Sequence, residues 1–184
     1  DKKVRIQYVG GGTEGTGTEE IISAYFTENT VVGGYEDGTI VQWTFSKEAE
    51  ILKEFVGHTK KVTNFFVDGD ILVSGSYDGT IRTWNLKVLI GILEGESETV
   101  YKTAGPVNYI RPGEDKVINA VVNRNTFYQI DRTTNKIFRY VRFKKHSITN
   151  FFCHEDQLVF GNTENKMLVF DLNDFNGEEL DVCS

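Results

Sequence analysis

Short apolar runs alternate with polar turns along almost the whole chain. The runs are four to seven residues long, rich in Val, Ile, Phe and Tyr, and separated by clusters of Asp, Asn and Gly. Branched and aromatic side chains suit a pleated, half-buried strand, and Asp-Gly pairs suit the tight turns between strands. The pattern therefore predicts an all-β chain built from hairpins. The presence of only 2 Pro beside 18 Gly, 13 Phe and 8 Tyr agrees with strands and turns.

The apolar pattern repeats four times. Residues 62–86 align without a gap on residues 148–172, with nine of 25 positions identical, and a third copy at 21–45 matches at an offset of 41 residues. A more degraded copy lies at 106–131. Each copy supplies three strands, and a fourth apolar run follows at 50–56, 89–95, 137–143 and 178–182. Because one sheet cannot bury both of its faces alone, the repeats predict four-stranded antiparallel sheets packed as the blades of a β-propeller.

One copy carries additional polar signals. Residues 57–85 read GHTKKVTNFFVDGDILVSGSYDGTIRTWN, with a Gly-His pair, an Asp-Gly turn and a Trp at fixed offsets. With these residues the chain resembles the WD-repeat β-propellers. In that family the His, a strand Ser or Thr, the turn Asp and the Trp of one blade form a buried hydrogen-bonded tetrad. The resemblance implies a structural tetrad of His58, Ser74, Asp78 and Trp84, and a partial tetrad of Asp37 and Trp43 in the first copy.

The repeats predict the domain organisation. We expect one propeller domain, or part of one, over 1–184, with an extra strand of a preceding or closing blade at 1–10 and blades at 20–56, 57–95, 106–143 and 144–184. The Gly/Thr/Glu-rich stretch at 10–20 is interpreted as a flexible acidic loop or linker, and 96–106 as a surface insertion. Propellers of this family commonly have seven blades. Three interpretations stay open: part of a larger propeller, which the start at Asp1 favours, a four-bladed ring, and half of a ring closed by two chains.

Composition narrows the partners and the compartment. The net charge of −7 disfavours nucleic-acid binding, which depends on clustered Lys and Arg. Cys153 and Cys183 lack metal or redox spacing, so free thiols in a reducing compartment, cytoplasmic or nuclear, are expected. No run approaches the roughly 18 apolar residues that span a bilayer, so membrane insertion is not predicted. The three histidines share no spacing, and neither a metal nor a cofactor is predicted.

Candidate contact residues follow from the resemblance, because propeller faces bind through their turns and inter-blade loops. These positions are Tyr35, Glu36 and Tyr77 at the turns, with Lys60, Lys61, Lys145 and His146 before the inner strands. A basic cluster of Arg139, Arg142, Lys144 and Lys145 stands out in the acidic chain. It could receive an acidic or phosphorylated peptide, or it could be the charged edge of an outer strand.

The leading functional hypothesis is a non-catalytic protein–protein interaction scaffold, a WD-repeat subunit of an intracellular eukaryotic complex. Its partners would be other proteins or peptides, and another copy or remaining blades could complete the propeller. The alternative is a substrate or phosphopeptide receptor of a ubiquitin ligase. A propeller-fold enzyme is less favoured. His58, Ser74 and Asp78 have the residue types of a hydrolytic triad, but no oxyanion-hole motif surrounds Ser74.

Overall fold

Four sheets make up the described part of the fold, and their consecutive strands pair antiparallel. The structure is a computed structural model that describes residues 21–27, 29–46, 50–87, 94–95, 97–144, 147–174 and 178–180. Each sheet begins with two hairpins in chain order, as the alternation of apolar runs and Asp/Asn/Gly turns predicts. The all-β propeller-type architecture predicted from the repeats is confirmed. The predicted strand at 1–10 and loop at 10–20 lie outside the described residues.

The first two sheets contain the two copies of the sequence pattern that keep both the Asp-Gly turn and the Trp. The strands of the first sheet are β1 (Ile21–Phe26), β2 (Thr30–Tyr35), β3 (Ile40–Thr44), β4 (Ile51–Phe55) and the short β8 (Glu94–Gly95). The strands of the second sheet are β5 (Val62–Asp68), β6 (Ile71–Ser76), β7 (Thr80–Asn85) and β9 (Ser97–Lys102). Within both sheets the first four strands pair antiparallel with their neighbours.

The last two sheets follow the same plan. The strands of the third sheet are β10 (Val107–Pro112), β11 (Val117–Val122), β12 (Thr126–Asp131), β13 (Lys136–Phe143) and the short β17 (Glu178–Leu180). The strands of the fourth sheet are β14 (Ile148–His154), β15 (Gln157–Asn162) and β16 (Met167–Asp171). A single 3-10 turn at Leu172–Asp174 follows β16. Within the described residues, no helix is long and apolar enough to cross a membrane.

Two predicted outer strands were assigned to the wrong sheet. The fourth strand of the second sheet is β9, which pairs antiparallel with β7, so this sheet extends beyond its predicted range of 57–95 into the stretch interpreted as an insertion. Residues 94–95 instead pair in parallel with β4 of the first sheet. Likewise, β17 pairs in parallel with β13 of the third sheet and does not complete the fourth sheet. An apolar run predicts a strand, but its partner depends on backbone hydrogen bonds that the run does not encode.

Three apolar clusters stack the sheets face to face in chain order. The first and second sheets meet through Val32, Ile40 and Phe55 against residues such as Leu72 and Trp84. Separate clusters join the second sheet to the third and the third to the fourth. Each sheet therefore covers one face of the next, which is how a radial stack of blades buries its core.

The turns between the second and third strands also lock neighbouring sheets together. Gly79, in the turn after β6, accepts hydrogen bonds at its carbonyl from the backbone N and the Oγ1 of Thr103, 2.7 and 2.9 Å away, on the segment that enters the third sheet. Gly38, at the same place in the first sheet, lies against the carbonyls of His58 and Lys60. Both glycines have positive φ, which favours glycine over residues with a Cβ. At Gly38 a Cβ would also lie 2.6 Å from the His58 carbonyl oxygen, so this junction requires glycine there.

Candidate functional site

The four tetrad residues meet in one hydrogen-bonded chain inside the second sheet. His58 Nδ1 lies 3.0 Å from Asp78 Oδ2, and His58 Nε2 lies 2.8 Å from Ser74 Oγ. The Trp84 indole N–H donates to the same Ser74 Oγ at 2.8 Å. A carboxylate only accepts, so Nδ1 of His58 carries the proton, Nε2 accepts from the Ser74 hydroxyl, and Ser74 in turn accepts from Trp84. The four tetrad side chains are therefore all hydrogen-bonded to one another through this network.

Asp78 is the most heavily bonded member. Its carboxylate accepts from the backbone N of Thr59 at 2.9 Å, the backbone N of Thr80 at 2.8 Å and the Thr80 hydroxyl at 2.7 Å. The hydroxyl bound to this carboxylate thus belongs to Thr80, two residues along the turn, while Ser74 binds the opposite ring nitrogen of His58. Thr80 is a member of the network that the sequence comparison missed. The signal was the Asp-Gly-Thr turn, because Asp side chains commonly bond the backbone two residues on.

Burial and hydrogen bonding lower the pKa values of both His58 and Asp78, so that the network holds one negative charge. Burial lowers the pKa of His58 below its usual value, although the Asp78 carboxylate opposes this shift. Burial alone would raise the pKa of Asp78, but hydrogen bonds from His58, Thr80 and Thr59 outweigh it and the pKa is strongly lowered. A neutral imidazole thus faces a carboxylate that stays ionised, which is consistent with the tautomer assigned from the distances.

The same distances match the hydrogen bonds of a Ser-His-Asp catalytic triad. The burial of Ser74 distinguishes a structural tetrad from such a triad. The Ser74 side chain is 0% exposed, and its hydroxyl already accepts the indole N–H of Trp84. Trp84 is also buried, with its ring against Phe55 and His58. A substrate carbonyl would need to reach Ser74 Oγ and nearby oxyanion donors. The packed indole occupies that approach, so the arrangement is suited to holding the turn against the strand.

The first sheet holds its partial tetrad by a different kind of contact. Asp37 accepts from the backbone N and the hydroxyl of Thr39, as Asp78 does from Thr80, but Gly33 stands where the second sheet has Ser74. The Trp43 ring lies so close that a Cβ added to Gly33 would meet its Cζ3 at 2.9 Å. Trp43 also packs edge-on against Tyr35, with ring centroids 6.1 Å apart. Close packing of the indole therefore replaces the hydroxyl.

Four of the predicted contact residues lie where the first and second sheets adjoin. The turn that contains Glu36 packs through Gly38 on the backbone of Lys60. The Lys61 ammonium lies over the Tyr77 ring, 4.2 Å from its centroid, and the Tyr77 N–H donates to the Lys61 carbonyl at 3.1 Å. We define these four residues, Glu36, Lys60, Lys61 and Tyr77, as the rim patch.

Tyr35 is not available at the same turn. It was predicted to lie at the exposed turn with Glu36, but its side chain is buried in a cluster with Val31, Val41 and Trp43. The register explains the difference, because Tyr35 is the last residue of β2 and points to the packed side of the sheet, whereas Glu36 begins the turn.

The structure separates the predicted basic cluster. Arg139 lies half-buried on β13, where its Nη1 donates to Gln129 Oε1 at 3.1 Å and to Asp156 Oδ1 at 3.2 Å. Arg142, three residues further along the strand, is exposed, as is Lys144 just beyond it. Alternate residues of a strand face opposite sides, so Arg139 and Arg142 do not form one surface. Lys145 and His146 lie outside the described residues.

A cleft of about 590 Å³ opens between the third and fourth sheets on the side opposite the rim patch. Asn119 and Gln129 are buried there, and Gln129 Nε2 donates to Asn119 Oδ1 at 3.0 Å. Burial raises the pKa of the Cys153 thiol beside them. Sequence reasoning missed this cleft, although Asn119 and Gln129 are polar residues within otherwise apolar strands. The described residues hold no group of three or more His, Cys, Asp or Glu that could bind a metal ion.

Comparison with known proteins agrees with this geometry. The family model described as "WD domain, G-beta repeat" matches residues 49–85, which include the complete tetrad. The chain is 41% identical over 69 residues to the candidate E3 ubiquitin-protein ligase LIN-1 of Lotus japonicus, an alignment covering 37% of this chain and 5% of the relative. It is 43% identical over 58 residues to the protein ROOT INITIATION DEFECTIVE 3 of Arabidopsis thaliana, covering 30% and 13%. The matched segment thus spans a small part of these relatives.

Solved structures share the fold over most of the chain. The WD40 domain of Toxoplasma gondii coronin superposes with a TM-score of 0.68 at 16% identity, covering 79% of this chain and 41% of that one. The computationally designed Ika4 protein superposes with a TM-score of 0.66 at 21% identity, covering 94% of this chain and 100% of that one. A stack of small antiparallel sheets with a His-Ser-Asp-Trp network defines a repeat-built β-propeller protein. The chain therefore carries a match to the WD repeat at residues 49–85 within a propeller fold, and WD-repeat propellers are in general non-catalytic scaffolds that bind other proteins.

Proposed function

We propose that this chain is a non-catalytic protein-interaction scaffold that recognises a protein partner through the rim patch, as part of an intracellular eukaryotic complex. The observation that carries the proposal is the Lys61–Tyr77 pair, in which a cation is held 4.2 Å above an aromatic ring on the outer turns. A Tyr beside Lys offers both apolar area and charge to a partner.

The backbone beneath the rim patch is rigidly held, which supports its use as a binding surface. Ser76 Oγ donates to the Lys60 carbonyl at 2.8 Å, and the backbone N of Asp78 donates to Ser76 Oγ at 3.1 Å. The tetrad then holds Asp78, the residue after Tyr77, because His58 bonds Asp78 with one ring nitrogen and Ser74 of β6 with the other. Loops that are ordered before binding lose less entropy when a partner docks, so more of the contact energy appears as affinity.

A ubiquitin-ligase receptor is the second candidate, and its support is the name of the relative LIN-1. Recognition of a phosphorylated substrate peptide would require Arg or Lys side chains directed at one site. Arg142 and Lys144 are exposed, but Arg139 is engaged by Asp156. The structural support for this candidate is therefore weaker than the support for the rim patch.

We also propose a cytoplasmic or nuclear location for this scaffold. Cys153 carries a free thiol. Free thiols persist where glutathione and thioredoxin keep the compartment reducing. Imaging of the full-length protein with a fluorescent tag tests this proposal, and accumulation in a secretory compartment would contradict it.

Partner capture with matched variants tests the scaffold proposal. We would immobilise the parent chain, the double variant Lys61→Glu/Tyr77→Ala, and a control double variant Lys136→Glu/Tyr140→Ala with the same composition change on the outer strand β13. Proteins retained from a lysate would be quantified by mass spectrometry. We expect partners that the parent and the control retain and the rim-patch variant loses by at least about tenfold, equivalent to roughly 1.4 kcal/mol. Equal retention by all three chains would exclude the rim patch as the binding surface.

A separate assay tests the absence of catalysis. Hydrolysis of a panel of activated esters should proceed at the same rate with the parent chain and with Ser74→Ala, because the hydroxyl is buried beneath Trp84. A rate that falls in Ser74→Ala, while the variant stays folded by circular dichroism, would contradict the non-catalytic proposal.

A further inference from the structure

The cleft between the third and fourth sheets has the size and the polar lining of a ligand site. Its volume of about 590 Å³ lies within the range of roughly 300–1,000 Å³ that is common for such sites. Asn119 of β11 and Gln129 of β12 line it, although these residues are only 1 and 6% exposed. Buried polar groups that converge on a cavity typically fix the orientation of a bound molecule.

The corresponding place between the first and second sheets is filled by apolar side chains. The pairing registers match two cross-strand rows, which are Val32, Gln42 and Lys53 in the first sheet and Asn119, Gln129 and Arg139 in the third. Val32 is 0% exposed and belongs, with Val67 packed on it, to the cluster that joins the first and second sheets. At these two places the third and fourth sheets have Asn119 and Cys153. A polar amide and a small thiol thus replace two valines, and the cleft lies where those valines would pack.

The interior of the cleft presents hydrogen-bond acceptors. Gln129 Nε2 donates to Asn119 Oδ1 at 3.0 Å, and Gln129 Oε1 accepts from Arg139 Nη1 at 3.1 Å. Within the described residues each of these amide oxygens accepts one hydrogen bond, whereas an amide oxygen has two lone pairs. Arg139, the one Arg or Lys of the described lining, also donates to Asp156 Oδ1 at 3.2 Å, so its charge is offset. The interior is therefore matched to a ligand that donates hydrogen bonds.

The mouth of the cleft carries negative charge that the chain does not offset. Glu114 and Asp115 lie in the turn before β11, Glu155 lies in the turn before β15, and all three are exposed. Among the described residues, no ion pair involves any of these carboxylates. Carboxylates that line a cleft raise the local concentration of cations. The charge thus favours a positively charged ligand and disfavours an acidic or phosphorylated one.

A β-bulge brings an aromatic ring to the same mouth. Gln129 pairs with Arg139 while Ile130 pairs with Ile137, so Phe138 stands outside the ladder between β12 and β13. Bulges commonly redirect a side chain. Phe138 lines the cleft and is 54% exposed. An exposed ring beside carboxylates suits an ammonium or guanidinium group, because such cations are attracted to the face of the ring.

We propose that this cleft binds a basic peptide segment, with the charged end of a Lys or Arg side chain between Phe138 and the amide oxygens of Asn119 and Gln129. Such a side chain donates several hydrogen bonds and carries the charge that the mouth attracts. A cleft of about 590 Å³ takes a drug-sized ligand, and hence a side chain together with its flanking backbone. The site is separate from the rim patch and lies on the opposite side, so one chain can hold two partners at the same time.

Selection of a random-sequence peptide display library on the immobilised chain tests the proposal. Peptides recovered with the parent should be enriched in Lys and Arg over the input library. The rim-patch variant Lys61→Glu/Tyr77→Ala should recover the same peptides. A recovered basic peptide, synthesised with a fluorescent label, then gives Kd values for all variants by fluorescence polarisation.

Variants of the mouth and of the interior should both weaken this binding. Glu114→Gln/Glu155→Gln should raise the Kd at least about threefold. The control Glu50→Gln/Glu98→Gln makes the same charge change at exposed positions elsewhere and should leave the Kd unchanged.

In the interior, Asn119→Val/Cys153→Val copies the junction of the first and second sheets. It should raise the Kd at least about tenfold, because a buried acceptor for a charged donor is lost. Circular dichroism checks that this variant is folded, and the exposed mouth variant tests the same site without a change in the core.

Labelling of Cys153 locates the bound peptide. In a Cys183→Ser background, peptide at about ten times its Kd should slow the maleimide labelling of Cys153 about tenfold, because the occupied cleft excludes the reagent. Three results would overturn the proposal: no enrichment of Lys and Arg with the parent, a Kd that both cleft variants leave unchanged, or labelling that the peptide does not slow. Loss of the basic peptides by the rim-patch variant alone would assign them to the rim patch, which would overturn this proposal while supporting the use of that patch.

Discussion

Removal of the Trp84 ring should be among the most destabilising single changes in the second sheet. The side chain is 1% exposed and packs against Phe55 and His58 with ring centroids 5.7 and 5.8 Å away. Replacement of a buried Trp or Phe by Ala typically costs about 3–5 kcal/mol, because transfer energy is lost and a cavity remains. We expect a loss of that size for Trp84→Ala, measured as a shift in the urea midpoint at constant slope by far-ultraviolet circular dichroism.

A double-mutant cycle isolates the hydrogen bond from the packing. Ser74→Ala removes the acceptor of the Trp84 N–H, and Trp84→Phe removes the donor while keeping an aromatic ring. If the 2.8 Å bond stabilises the folded chain, the two changes should be non-additive by about 1–2 kcal/mol, the range expected for residues in one buried network. Additive changes would mean that packing alone holds Trp84. A loss below about 1 kcal/mol in Trp84→Ala would refute the assignment of the tetrad as a stabilising element.

Two further predictions concern the pH dependence and the degenerate first sheet. The pKa of His58 is lowered by folding, so below the usual histidine value near 6.5 the unfolded chain takes up a proton that the folded chain resists. The free energy of unfolding should therefore fall as the pH is lowered from 7.5 to 5.5, by up to about 1.4 kcal/mol per pH unit from this group. In thermal melts recorded across this range, the melting temperature of His58→Gln should depend less on pH than that of the parent. An equal pH dependence in the two chains would contradict the prediction. Gly33→Ser imitates the Ser of the second sheet but should cost about 1–3 kcal/mol, because its Cβ would lie 2.9 Å from Trp43. Gly161→Ser, where a Cβ would meet only Thr149 at 3.3 Å, is the matched control in urea denaturation, and a Gly33→Ser loss no larger than the control would refute the packing argument.

The inner parts of the sheets were predictable because their signals are local. Alternating apolar residues between Asp-Gly turns define hairpins such as β5–β6–β7. The spacing also predicted that His58 precedes β5, that Asp78 lies in the β6–β7 turn and that Trp84 lies on β7. Strand periodicity also separates Arg139 from Arg142. The role of Thr80 follows from turn chemistry, although the family pattern drew attention to Ser74.

The outer strands and the open surfaces were not predictable in the same way. The run at 89–95 is more apolar than the stretch at 97–102, yet the latter pairs with β7. Tyr35 and Glu36 are neighbours in sequence, but one is buried and the other exposed, because the strand ends between them. The cleft beside Asn119 and Gln129 required two sheets to be placed together before either residue had a recognisable role.

The sequence by itself determined that this protein is a stack of antiparallel blades, because residue period, turn residues and a 41-residue repeat are properties of the chain alone. It also determined which four residues could form the tetrad. Only the tertiary structure decided that Ser74 is inaccessible, that Trp43 packs on glycine, and that equivalent residues such as Phe66 and Phe152 differ in exposure. The physical reason is that burial depends on what lies against a sheet, and repeats with the same pattern have different neighbours.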